Sequence, residues 1–210
     1  MIRTFCFFLL FLFALNAHAL GEDTLLWGMA DYSPADLFLP NKYGATLGMS
    51  TAPDTGWEME YLHGGFSFPL ILKDLGHMSD NRFSVIRRSF WTGSSWNVSY
   101  GLTYFEFSSH LGSQLLSSAT SNNIPSIDLV TVRSLGFNLA LGNRWFFCPN
   151  WMVGVDWISW SQPLWLLERR SDFLDHSNSQ GDKDRVASVI QSLSHLPRFA
   201  VLKLQIGFYF

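Results

Sequence analysis

The stretch 198–210 (RFAVLKLQIGFYF) constrains this chain more than any other. Every second residue back from the end is apolar: Phe210, Phe208, Ile206, Leu204, Leu202 and Ala200. The residues between them, Tyr209, Gly207, Gln205, Lys203 and Val201, are mixed and partly polar. A period of two marks a β-strand with one apolar face. The stretch is long enough to cross a bilayer at a tilt.

The opposite end of the chain predicts export. Arg3 forms a positive n-region, Phe5 to Leu15 is an almost unbroken apolar run, and Ala17-His18-Ala19 is a small-x-small cleavage site. The run is shorter than the ~20 residues of a transmembrane helix. We therefore expect a signal peptide over 1–19, cleaved to leave one domain over 20–210. No Cys follows the site, so it is not a lipoprotein signal. Cleavage leaves 13 Lys and Arg against 17 Asp and Glu. That mild acidity argues against a nucleic-acid surface. Cys148 is then the only cysteine, so no intramolecular disulfide is available.

Aromatic residues make up 16% of the chain and charged residues 15%, whereas soluble domains carry about 25% charged residues. Yet no run of 18 apolar residues follows the leader. An aromatic-rich, charge-poor chain without helical spans fits a barrel with aromatic girdles at both membrane interfaces.

Eight strands can be marked, at 24–32, 42–51, 55–68, 82–91, 95–107, 129–142, 150–160 and 198–210. Short connections (52–54, 92–94, 143–149) alternate with long ones (33–41, 69–81, 108–128, 161–197). Short periplasmic turns and long extracellular loops produce that parity when both termini are periplasmic. Alternation is clear in most strands: Trp57, Met59 and Tyr61 oppose Glu58 and Glu60, and Leu135, Phe137, Leu139 and Leu141 oppose Ser134, Gly136, Asn138 and Ala140. It breaks near Ile86-Arg87-Arg88, where a β-bulge would reset the faces. A soluble sandwich or a lipocalin-like barrel would place the apolar face inward. The export signal, the aromatic final strand and the loop parity favour a membrane barrel instead.

An eight-stranded barrel is just wide enough for its side chains to fill it. The inward set includes Glu58, Glu60, Asp156, Lys203, and Arg87 or Arg88, with Arg87 the one carried into a lumen charge network. Charges there must be paired, so no wide pore is expected. A narrow ion path is the alternative.

Function on a rigid barrel sits in its loops. In 161–197, Val186, Val189, Ile190 and Leu193 fall on one face of an amphipathic helix over 183–195, stopped by Pro197. In 108–128, His110 with Ser108 and nearby Glu106 are weak candidates for a Ser–His–acid catalytic group, although a triad is defined by geometry. No metal spacing and no phosphate-binding glycine loop occurs, so no metal or cofactor is implied.

The chain resembles the small eight-stranded outer-membrane barrels of Gram-negative bacteria, the OmpA- and OmpX-like class. The likeness covers the mature chain by pattern, and its specific motif is the final strand. It implies an antiparallel up-and-down transmembrane β-barrel in the outer membrane. It also implies that Leu204, Ile206, Phe208 and Phe210 are read by the barrel-assembly machinery, and that the partners are outer-membrane lipid and lipopolysaccharide. Some outer-membrane lipid A deacylases use a His and a Ser on a small barrel. Their His-x-Ser-Asn pattern does not occur here. The expected role is structural or surface-interacting, through the extracellular loops. A lipid-modifying enzyme is the alternative.

Overall fold

The structure is a computed structural model. It describes residues 25–67, 77–111, 127–147, 150–170, 191 and 195–210. The leader and most of the predicted helix lie outside the described residues, as do most of the three longest connections. Nine strands form: β1 (Leu26–Ser33), β2 (Ala35–Asp36), β3 (Lys42–Ala52), β4 (Thr55–Ser67), β5 (His77–Phe90), β6 (Trp96–Leu111), β7 (Ile127–Phe147), β8 (Trp151–Arg170) and β9 (Arg198–Tyr209). Each long strand pairs antiparallel with its neighbour in the chain, and β1 pairs with β9 to close the ring. The result is an eight-stranded antiparallel up-and-down β-barrel, with β2 a two-residue addition to the edge of β9. Among the described residues, closure leaves each of the eight long strands paired on both sides, the condition for a β-structure surrounded by hydrocarbon.

Polarity is inverted relative to a soluble barrel. Among the described residues, 24 polar or charged residues are buried against 12 apolar ones. The outer face carries Leu47, Leu102, Leu139, Leu204, Ile206 and Phe208. Aromatic rings crowd the rim that holds the short turns and the chain end. Trp151 lies 3.8 Å from Phe208, Trp91 6.1 Å from Trp96, and Phe146 5.5 Å from Tyr209, centroid to centroid. Toward the other rim lie Tyr32, Tyr43 and Tyr61, with Trp160 edge-on to Phe137. These rims are called here the turn rim and the loop rim.

Two expectations are corrected. Strand β5 runs without a register shift against either neighbour, burying Asp80, Arg82, Ser84, Ile86 and Arg88 in strict alternation. Its lumen side simply accommodates Ile86, so no bulge is needed. Strand β9 does contain an irregularity. Leu202 adopts φ 66°, and Ala200 is buried while Val201 is exposed. The outward set of the final strand is therefore Phe210, Phe208, Ile206 and Leu204, then Val201. The two faces exchange beyond Leu202 without a register shift against β8, which turns Arg198 inward.

Several strands also outrun their apolar alternation. β7 continues to Phe147 and begins at Ile127, while β8 continues to Arg170 with Trp157, Leu164 and Leu167 as extra residues against β7. Backbone pairing persists at the loop rim even where the outward positions become polar.

Candidate functional site

The lumen is where the charged side chains converge. Six acids (Asp31, Asp36, Glu58, Glu60, Asp80, Asp156) and six bases (Lys42, Arg82, Arg88, Arg144, Arg198, Lys203) are buried there, so the described interior is charge-balanced. Alternation on β1, β3, β4, β5, β7, β8 and β9 aims eleven of them at the axis, and Asp36 joins them from β2.

They form two groups. In the group nearer the turn rim, Glu58 accepts from Arg144 Nη1 at 2.6 Å, Arg88 Nε at 2.9 Å and Trp27 Nε1 at 3.2 Å. Arg88 also donates to Asp156 at 3.0 Å and to Asn97. Lys203 bridges Asp156, at 2.8 Å, and Glu60. Asp31 accepts from Thr46 at 2.7 Å and from Gln205 at 2.8 Å. Trp27 lies flat across Gly48 and Gly56, where an added methyl would collide with its ring. Glycine is needed at both positions for that close approach.

The second group closes the loop rim. Lys42 lies 2.5 Å from Asp80 and 3.1 Å from Asp36. Arg82 pairs with Asp36, and Arg198 reaches Asp80 at 3.0 Å. Asp36 also accepts from the Phe38 and Leu39 backbone amides, which folds the β1–β3 connection into the barrel mouth. Phe38 packs edge-on to Phe107, and the Arg198 guanidinium stacks between Phe38 and Phe105, 4.6 and 4.4 Å from their centroids. A buried ion pair is stable only when further hydrogen bonds satisfy the remaining donors and lone pairs. Here carboxylates and cations interlock across the lumen, and among the described residues only Arg82 Nε, Arg144 Nε and Arg198 Nη1 of the guanidinium groups are left buried without a hydrogen-bond partner.

Four of the five residues expected in the network, Glu58, Glu60, Asp156 and Lys203, lie in it. Arg87 does not. It points outward and is exposed, and its neighbour Arg88 occupies the lumen position. The unbroken alternation of β5 decides between them. Asp31, Asp80 and Arg82 join the network beyond the expected set, and Asp31 follows Trp27 and Met29 at spacing two. Arg144 lies in the stretch expected to be the 143–149 turn, through which β7 continues, and Arg198 lies beyond the irregularity at Leu202.

The His110, Ser108 and Glu106 group does not assemble over the described atoms. Glu106 faces outward and accepts from Arg133 at 3.0 Å and from the Tyr104 hydroxyl at 3.2 Å. The hydroxyl of Ser108 shares a hydrogen bond with that of Ser79 at 2.7 Å. The side chain of His110 lies outside the described residues; its backbone pairs with His77 and Asp128. Arg133 also reaches Glu168 at 2.5 Å, completing an outward ion triad near the loop rim. Among the described residues no three His, Cys, Asp or Glu side chains are grouped to hold a metal ion.

Neither a family model nor a curated protein sequence matches the chain. Solved structures do. The N-terminal β-barrel domain of Pseudomonas aeruginosa OprF is 12% identical, covering 91% of this chain and 100% of that one, with a TM-score of 0.43. Neisserial surface protein A, NspA, is 10% identical over 89% and 97%, at 0.48. Acinetobacter baumannii CarO is 12% identical over 88% and 97%, at 0.44. The likeness is one of architecture alone, the small eight-stranded barrel.

Proposed function

We propose that this protein is an integral outer-membrane barrel with a sealed lumen, whose role is structural or surface-interacting through the connections at its loop rim. The observation that carries this reading is the lumen itself. Twelve buried charges of balanced sign tie β1, β3, β4, β5, β7, β8 and β9 together across the axis. A hydrated pore needs a continuous water-filled path, and the interior of an eight-stranded barrel is just wide enough for its side chains to fill. The apolar outer face and the two aromatic belts support insertion into a bilayer. On this reading the turn rim is periplasmic and the loop rim extracellular. Outer-membrane lipid and lipopolysaccharide are then the surrounding partners. Leu204, Ile206, Phe208 and Phe210, all exposed on the outer face, suit recognition by the assembly machinery.

Planar-bilayer recording on the refolded barrel tests the sealed lumen. The expected trace shows no unitary steps. A reproducible single-channel conductance that changes with Lys42→Met or Asp156→Asn would refute it.

A further inference from the structure

Arg87 is an anomaly on the outer face. On β5 it faces away from the lumen, and in register its neighbours are Trp57 on β4 and Tyr100 on β6, 40% and 46% exposed. The next outward positions along β5 are Val85 and Ser89. Among the described residues, no hydrogen bond or ion pair reaches its guanidinium. The other outward ion cluster, Glu106–Arg133–Glu168, is internally paired and sits at the opposite rim. An uncompensated arginine costs about 2–4 kcal/mol at the bilayer midplane and about 0–1 near an interface. Arg87 lies three residues before the end of β5 at Phe90. At roughly 3.3 Å per residue and a tilt, that is within ~10 Å of the turn rim. A long side chain there lays its stem along the apolar surface and its head among the lipid headgroups.

We propose that Arg87, flanked by Trp57 and Tyr100, forms a binding site for the phosphate of a phospholipid in the periplasmic leaflet. The planar guanidinium matches two phosphate oxygens at once. The two aromatic rings, at home at a membrane interface, flank the acyl-chain side of the headgroup. The anion comes from lipid because, among the described residues, no carboxylate forms an ion pair with Arg87 and its in-register neighbours are Trp57 and Tyr100. The site rests on the membrane-spanning reading above.

The test is native mass spectrometry of the folded full-length barrel in neutral detergent. It is titrated separately with phosphatidylglycerol, with diacylglycerol and with inorganic phosphate. One phosphatidylglycerol is expected to be retained, with about fivefold weaker retention in Arg87→Gln, the effect of one basic residue at a lipid surface. Arg87→Lys keeps the charge and loses the fork, so it should fall between the two. Diacylglycerol should not be retained, which assigns the affinity to phosphate, and inorganic phosphate alone should leave no adduct, which assigns the source to lipid. Equal retention by wild type and Arg87→Gln would overturn the site. So would a dimer that Arg87→Gln abolishes, because the partner would then be a second copy. A gel-shift assay of folding into vesicles separates the two levels. Failure of the wild type to fold there overturns the membrane reading, whereas folding with unchanged lipid retention overturns only the Arg87 site.

Discussion

Replacing Glu58 by Gln removes the hub of the turn-rim network with almost no change of shape. Glu58 is fully buried and holds two guanidinium groups, and their alternatives differ. Arg88 keeps Asp156 at 3.0 Å. Arg144 has no other carboxylate among the described residues, only the Gln205 amide oxygen at 3.5 Å. Glu58→Gln therefore strands one buried cation. Breaking a buried pair from one side costs about 3–5 kcal/mol, and we expect the lower end, ~3 kcal/mol, because Arg88 stays paired. Arg144→Met is milder, about 1–2 kcal/mol, because Glu58 retains Arg88 and the Trp27 indole. The double variant leaves no stranded charge. Its loss should be close to that of Arg144→Met alone, a coupling of roughly 3 kcal/mol. Urea unfolding of the barrel in lipid vesicles, followed by tryptophan fluorescence, measures all four proteins on one scale. Two results would refute the reasoning: a Glu58→Gln loss below about 0.5 kcal/mol, or losses in the double variant that simply add. Either would mean that water screens the lumen charges and that the barrel is not sealed by them.

Two further outcomes are expected from the same unfolding measurement. Gly48→Ala drives a methyl into the Trp27 ring and should cost about 1–3 kcal/mol as overpacking, with most of it recovered in Gly48→Ala/Trp27→Leu. At Leu202, where φ is 66°, a β-branched residue is disfavoured, so Leu202→Val should lose about 1–2 kcal/mol while Leu202→Gly stays close to wild type.

Much of the architecture was legible because a barrel strand has a period of two and the turns alternate in length. All eight long strands overlap their expected positions. The expected faces hold wherever apolar and polar residues strictly alternate, as in β3, β4 and β7. The errors fall where alternation is ambiguous. Two adjacent arginines read equally well in either register, and only the pairing of β5 with both neighbours decides that Arg88 is inside and Arg87 outside. One residue with positive φ at Leu202 exchanged the faces at the start of β9 and so hid Arg198.

By itself, then, the chain determined an export leader to be expected, eight strands and the sign of their faces, because these are local patterns of spacing along the backbone. Which charges meet was decided only by closure. Lys203 and Glu60 are 143 positions apart, and Arg198 and Asp80 are 118 apart. The pairings depend on the stagger of the strands around the ring, a quantity that no single stretch of sequence carries. That stagger turns scattered inward charges into a charge-balanced interior, and it leaves Arg87 on the outer face without an ion pair among the described residues.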